Sequence, residues 1–299
     1  MDLIVLSTFN GEPYLVEQLN SILSFHYEGL EVLARDDGST DGTVDILNLF
    51  AQKFTWFRIS SSSGTNIGIV NSYIQLLEES LQLDLRFISF CDQDDIWTGN
   101  RFSDATNYDF KSIPTMLVGS FVLVDKYGQV MKGARKFSKT SNQLFSLFFN
   151  QATGCALIIN KELAKLLVLS KTNFTREILH DWRSYLLATF FGEVKICDKV
   201  WVLYRQHDKN IVGYPLGINR VFKFIRKLPV NLPNHTMIAN GLLQIPRPIN
   251  QNSQLFLEST SRIHAMSFYS RIRYILRWKI RRPGVLGCIA TYINIFRKQ

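Results

Sequence analysis

At 299 residues, with 46% hydrophobic and 13% aromatic content, the chain can bury one large core and carry a smaller appendage, which excludes a disordered or fibrous protein. Its formal charge of +9 is uneven: residues 209–299 hold 15 Lys and Arg against the single acid Glu258, so the rest of the chain has an excess of acids. Such a basic stretch fits attraction to an anionic membrane face as well as it fits a solvated helical surface. No nucleic-acid-binding motif accompanies the charge, so nucleic acid is not expected as a partner.

The four cysteines, Cys91, Cys155, Cys197 and Cys288, include no C-x-x-C pair, which suits free thiols in a reducing compartment and gives no zinc spacing. "MDLIVLSTFN" has no basic n-region or small-residue cleavage site. The longest uncharged apolar run, "GVLGCIATYINIF" at 284–296, has 13 residues, short of the roughly 18 a spanning helix needs. A cytoplasmic protein is the expectation.

In chain order, "LIVLST" (3–8) reads as a buried strand, and Leu15, Leu19, Ile22 and Leu23 then recur at helical spacing behind Pro13. "LEVLARDDGS" is a strand and turn. A helix over about 41–53, the strand-like "WFRIS", a helix over about 66–79 and "LRFISFCD" follow. This β-α alternation predicts a mostly parallel sheet with helices on both faces and ligands at the carboxyl ends of its strands. The polar clusters "TFNGE", "RDDGSTDGT", "SSSGTNIG" and "CDQDD" each follow a strand, so one face is polar and acidic.

Beyond residue 115 come "TMLVGSFVLVD", a helix-like "NQLFSLFF", the strand "GCALIIN" and a helix from Lys161. Composition shifts near 209–217, with Gly213, Pro215 and Gly217. The domains are therefore read as 1–215 and 216–299. The second is a basic, mainly helical region whose "FYSRIRYILRWKIRR" resembles an interfacial anchor more than a spanning one.

"FCDQDDIW" (90–97) crowds Asp92, Asp94 and Asp95 behind a strand. Carboxylates that close repel unless a cation sits among them, and hard ions such as Mg²⁺ or Mn²⁺ take carboxylate oxygens while keeping positions for substrate phosphate. A solvated or helix-capping acidic loop is the plainer alternative, and it accounts for one aspartate better than for three. In "RDDGSTDGT", the match of Asp37, Ser39, Asp41 and Gly42 to a calcium loop fails at its twelfth position, Asn48. Asp41 caps the next helix, which leaves Asp36 and Asp37 free to meet a base or ribose. The chain has no G-x-G-x-x-G, P-loop or H-E-x-x-H, which argues against a nicotinamide dehydrogenase, a P-loop kinase and a zinc protease.

Seven stretches in order, "STFNGEPYLVEQLNSIL", "RDDGSTDGT", "NIGIVNSYIQLLEES", "FCDQDDIW", "TGCALIIN", "HDWRSYLLA" and "YRQHDKNIVG", closely resemble the family 2 glycosyltransferases, in particular the rhamnosyltransferase-like enzymes of bacterial O-antigen and capsule assembly. The resemblance covers about 1–215. It implies a GT-A fold, a Rossmann-like α/β architecture, and inverting transfer of a sugar from a nucleotide-sugar to a hydroxyl. It also implies that Thr8, Asn10 and Glu12 line the nucleotide pocket and that Asp36 or Asp37 binds base and ribose. Asp92 and Asp94 would form the D-x-D, and Asp181 would be the general base. Arg205 and His207 would reach the diphosphate or a Mg²⁺ or Mn²⁺ ion, while Thr153 and Gly154 would border the sugar. Arg35 departs from the family's apolar residue before the double aspartate; a neighbouring carboxylate and a substrate phosphate are both partners for it.

The leading expectation is a metal-dependent inverting glycosyltransferase on the cytoplasmic face of the inner membrane, using dTDP-rhamnose or a UDP-sugar and a lipid-linked acceptor. Two alternatives stand beside it: a sugar nucleotidyltransferase, which needs a Gly-rich basic first loop that "STFNGEPYL" lacks, and a non-catalytic glycan- or membrane-binding module.

Overall fold

The structure, a computed structural model, describes residues 1–135, 137, 143–175, 177–208, 210, 234–280 and 285–296. The chain opens with β1 (Asp2–Thr8), α1 (Glu12–Leu23), β2 (Leu30–Asp36), α2 (Thr43–Lys53), β3 (Phe57–Ile59), α3 (Ile69–Ser80) and β4 (Phe87–Asp92). The four strands pair in parallel in the order β3-β2-β1-β4, as the alternation predicts. Register sets Thr8 beside Asp36 and Ser7 beside Asp92. Three polar strand ends are thereby brought to one edge.

β1 is covered on both faces, which is why it reads as an unbroken apolar run. Its side chains alternate: Leu3 and Val5 join one core cluster, Ile4 and Leu6 the other. The second cluster takes Leu15, Leu19 and Ile22 of α1 and Leu47 of α2. The first takes Tyr73, Leu76 and Leu77 of α3. The result is a helix, sheet and helix sandwich with the strand ends at its rim.

Past β4 the sheet becomes mixed. β5 (Ile96–Trp97), α4 (Arg101–Ala105), β6 (Thr115–Val124), β7 (Val130–Arg135), β8 (Leu157–Asn160), α5 (Lys161–Leu169), α6 (His180–Phe191) and β9 (Glu193–Arg205) follow, and the order continues β4-β8-β6-β9-β5 with β7 beside β6. β8 runs antiparallel to β4 and β6, whereas β6 and β9 are parallel. The helix-like "NQLFSLFF" is a short 3-10 turn over Gln143–Leu147, and "GCALIIN" divides into a 3-10 turn over Gly154–Ala156 and then β8. The pairing of β6 with β9 slips on either side of Ser120, next to Gly119, where Trp201 leans on the backbone: a Cβ there would lie 2.2 Å from the indole. That contact fixes β9, which carries Arg205 to the rim.

α7 (His235–Leu243), α8 (Gln251–Ser261), α9 (Phe268–Trp278) and α10 (Val285–Phe296) complete the described residues. The expected domain junction at 215/216 lies outside them. These helices are not loosely attached, because Ile238, Leu242, Phe256, Leu257, Tyr274, Trp278 and Ile295 are buried in the same cluster as Leu186 and Leu187 of α6. α6 is enclosed and accordingly buries residues on every side. Cys91, Cys155 and Cys197 are buried free thiols.

Candidate active site at the strand ends

The loops after β1 and β2 lock together. Asn10, at φ 49°, accepts from the Thr40 amide through Oδ1 at 2.8 Å, while the Ser39 hydroxyl accepts from the Asn10 amide at 2.8 Å. Asparagine tolerates that left-handed backbone better than most residues. Glu12 Oε2 accepts from the Gly42 amide at 3.0 Å, placing its carboxylate at the N-terminus of α2, where negative charge is favoured. Asp36 accepts from Thr8 Oγ1 at 3.0 Å, from the Gly38 and Ser39 amides at 3.0 and 2.8 Å, and from Ser39 Oγ at 2.5 Å. Asp37 accepts from Ile67 and Gly68 amides at 2.8 and 2.9 Å and pairs with Arg35 Nη1 at 2.7 Å. Arg35 also donates to Gln75, Ser72 and the Thr65 carbonyl. Of its two expected partners, the carboxylate is the one it meets. Thr8, Asn10, Glu12, Asp36 and Asp37 thus come together, and both buried carboxylates are fully engaged by the protein itself.

The second acidic group is built differently. Asp92 accepts one hydrogen bond from Tyr73 Oη at 2.9 Å. Burial, then the neighbouring Asp94, push its pKa up, and Asp181 adds to the rise. Asp94 Oδ2 lies 2.8 Å from His207 Nε2, and the His207 ring stacks on Tyr14 with centroids 4.8 Å apart. Asp95 is 1% exposed and accepts from the Arg205 amide at 3.0 Å through Oδ1, while Oδ2 has no hydrogen-bond partner of ordinary geometry. Burial and then Asp94 raise its pKa well above the usual carboxylate range.

Within the described residues, the group of three whose ligand atoms lie within 4.8 Å of one another is Asp92, Asp95 and Cys155. Burial raises the Cys155 thiol far above its ordinary value, so it stays protonated, and a buried thiol is a poor ligand for a hard cation. Asp94 and His207, which are in contact, and the half-buried Asp92 two residues before Asp94 offer carboxylates and an imidazole, donor types that suit Mg²⁺ or Mn²⁺ better than a buried thiol does.

Asp181, in the first turn of α6, is half-buried. Burial raises its pKa to about 6 against hydrogen bonds from Trp182, Asn150 and Gly154 that lower it. It is the base candidate, and Thr153 and Gly154 stand beside it. Gly154 has a close-packing reason to lack a side chain: a Cβ would lie 2.4 Å from Nε2 of His180. His180 is wedged against Tyr73 and Phe90 with centroids 4.1 and 4.9 Å away. Burial, then Arg183, lower its pKa to about 3, so it is a neutral packing residue.

Each nitrogen of the Arg205 guanidinium is already engaged by the protein. The residue is 2% exposed, and its guanidinium donates to the Asp94 carbonyl at 2.9 Å, the Lys126 carbonyl at 3.0 Å and Glu17 at 2.6 Å. Its observed contacts hold the D-x-D loop.

Four contributors escape a reading of spacing. Tyr73 looks like one more apolar position of α3. Gln93, the middle residue of the D-x-D, bridges to the Phe9 amide and carbonyl at 2.8 and 3.0 Å. Glu17 lies on α1 inside the stretch "STFNGEPYLVEQLNSIL", where nothing in the spacing sets it apart as a partner of Arg205. Arg101, fully buried, donates to Ser89 Oγ at 3.0 Å and the Cys155 carbonyl at 2.5 Å and lies 3.6 Å over the Trp97 ring; its charge lowers the Asp92 pKa. The sequence signal for Arg101 is a lone basic residue just behind an acidic strand end.

The family model described as "Glycosyl transferase family 2" matches residues 3–167. The dTDP-rhamnosyl transferase RfbG of Shigella flexneri is 28% identical over 97% of this chain and 100% of its own length. The UDP-Glc:alpha-D-GlcNAc-diphosphoundecaprenol beta-1,3-glucosyltransferase WfgD of Escherichia coli is 24% identical over 52% of this chain and 58% of its own. Among solved structures, S. aureus TarS 1-349 in complex with UDP-GlcNAc has a TM-score of 0.58 at 16% identity, covering 92% of this chain and 78% of that one. The mannosyltransferase PcManGT from Pyrobaculum calidifontis, in complex with GDP-Man and Mn2+, has a TM-score of 0.51 at 14% identity, covering 100% and 88%. These two likenesses are of fold, the GT-A fold. With more than half its length matched by that model, the chain belongs to glycosyl transferase family 2 and is a glycosyltransferase.

Proposed function

We propose that the protein transfers a sugar, rhamnose from dTDP-rhamnose in first place, to a hydroxyl of a lipid-linked glycan, with inversion and with a divalent metal. The observation that carries this reading is the raised pKa of Asp181 beside Asp92 and Asp94. A carboxylate poised near 6 is matched to accepting a proton at neutral pH. The near-full-length likeness to a dTDP-rhamnosyl transferase supports the donor, and the partial likeness to an enzyme named for a diphosphoundecaprenol substrate supports the acceptor.

In this reading Asp94 and His207, with Asp92, would hold Mg²⁺ or Mn²⁺, which would supply positive charge to offset the negative charge of a departing diphosphate. The acceptor oxygen bonds to the anomeric carbon from the face opposite the diphosphate. The bond from that carbon to the diphosphate oxygen breaks, its electron pair leaves with the diphosphate, and the hydroxyl proton passes to Asp181. Thr153 and Gly154 border the sugar. Thr8, Asn10, Glu12, Asp36 and Asp37 shape the nucleotide pocket through the interlocked loops, and Arg205 and Glu17 keep the D-x-D loop in place.

We further infer that the enzyme works at the cytoplasmic face of the inner membrane. Among the described residues no helix is long and apolar enough to cross a membrane. α9 instead exposes Phe268, Tyr269 and Leu276, the last two 78% and 70% exposed, on a helix that also carries Arg273 and Arg277, a composition suited to the lipid interface. Deleting α9 and α10 is a poor test, because Tyr274, Trp278 and Ile295 belong to the core. Replacing Arg273 by Gln and Leu276 by Ser should instead release the protein from anionic vesicles while it stays folded.

The chemical reading is tested by offering dTDP-rhamnose, UDP-glucose and GDP-mannose with and without Mn²⁺ to the purified enzyme and following release of nucleoside diphosphate in the presence of a lipid-linked acceptor. Release from dTDP-rhamnose that needs the cation supports the proposal. Metal-independent release from all three, or from none, contradicts it.

A further inference from the structure

The C-terminal helices enclose a feature that the transferase reading does not use. A cavity of about 320 Å³ is lined by Asn250, Asn252 and Ser253 from the start of α8 and by Arg277, Trp278 and Lys279 at the end of α9. Among the described residues, every polar group there is neutral or basic and no carboxylate lines the wall.

Two independent features point to an anion, and a third marks the turn that carries one of the cavity's cations. The first turn of the 11-residue α8 presents backbone N–H groups that have no acceptor within their own helix and carry the positive end of its dipole. Asn250 caps it, accepting from the Ser253 amide at 2.8 Å. Second, Trp278 is only 7% exposed, yet its indole N–H has no acceptor among the described residues. A buried donor left unpaired costs about 1–3 kcal/mol, and this one stands at the wall of a polar cavity. Third, Lys279 adopts the left-handed conformation, φ 50° and ψ 45°, at the end of α9. Glycine is usual at that position, and backbone held there without it is a mark of functional sites. Arg277 adds a second cation, with its guanidinium 5.1 Å over the Trp278 ring.

We propose that this cavity binds a phosphate group. Oxygen acceptors of a phosphate would satisfy the Trp278 indole and the α8 amides, and Arg277 and Lys279 would balance its charge. All of its lining side chains except Leu144 come from α8 and the end of α9, so this inference does not rest on the strand-end carboxylates or on the sugar-transfer reading. Two sources share the chemistry: a soluble phosphate, or a lipid headgroup reached from the exposed apolar stripe of α9 next to it.

The test uses the full-length protein and two variants chosen to fold. Lys279→Gly keeps the left-handed turn that glycine favours, and Trp278→Phe keeps an aromatic ring at this buried position while removing the pyrrole part of the indole with its N–H. With ¹⁵N-indole labelling, the signal missing from Trp278→Phe identifies Trp278 among the five tryptophans. If inorganic phosphate shifts that signal, and Lys279→Gly needs at least tenfold more phosphate for the same shift, the site binds phosphate from solution. If inorganic phosphate leaves it unmoved but both variants sediment less with phosphatidylglycerol vesicles than the parent, while none binds phosphatidylcholine, the phosphate is a headgroup. A stationary indole signal together with unchanged vesicle binding in both variants overturns the proposal.

Discussion

Two acidic clusters stand at the ends of β2 and β4, on either side of β1, and they differ in how their charge is met. After β2, Asp36 and Asp37 are buried but surrounded by amides, hydroxyls and the Arg35 guanidinium. After β4, Asp92 and Asp95 are pushed toward their protonated forms, and Asp181 across from them follows. A carboxylate with every oxygen occupied is scaffold, whereas one whose charge costs free energy in the folded state is waiting for a cation, a substrate or a proton. Arg101 and His207 relieve the second cluster only in part.

The comparison is broken most directly at Asp181. Asp181→Asn should lower transfer by about 10²–10⁴ in kcat and leave donor affinity, measured by calorimetry, unchanged. The same variant should unfold at a higher temperature near neutral pH. A carboxyl whose folded pKa is raised contributes stability below its unfolded value, and that contribution is lost as pH climbs through about 6. Removing the charge restores it.

On the scaffold side, Asp37→Ala strands the buried Arg35 and should cost about 3–5 kcal/mol in denaturant unfolding, with activity falling in proportion to the folded fraction. A folded Asp37→Ala with a raised KM would move Asp37 into nucleotide contact. A smaller effect is the pH profile. In the wild type, kcat/KM should be flat above about pH 6 and fall about tenfold per pH unit below it, a limb that Asp181→Asn should lack.

The parallel half of the sheet was legible because β1, β2 and β4 are short, mostly apolar runs ended by polar turns, and α1 to α3 keep helical periodicity. The mixed half was not. β8 and β9 find their partners across long sequence separations, and no local pattern says that β6 pairs with β9 in parallel. The site followed the same division. Asp92, Asp94, Asp181 and His207 are candidates named through motifs. Which carboxylates are satisfied depends on Tyr73, Gln93, Arg101 and Glu17, whose roles exist only once helices and strands are packed. Arg205 shows the limit best: its position in "YRQH" suggests a phosphate contact, while packing turns its guanidinium toward Glu17 and two carbonyls.

The measurement that bears most directly on the strained cluster is the thermal midpoint with and without saturating Mn²⁺ and dTDP, in the wild type and in Asp94→Asn. Ligands that complete the site bind only the folded state and raise the midpoint by mass action. The wild type should rise by several degrees with the pair and the variant should not. An equal rise in both would show that the cation and diphosphate bind elsewhere than Asp94 and His207, and that the second cluster is scaffold like the first.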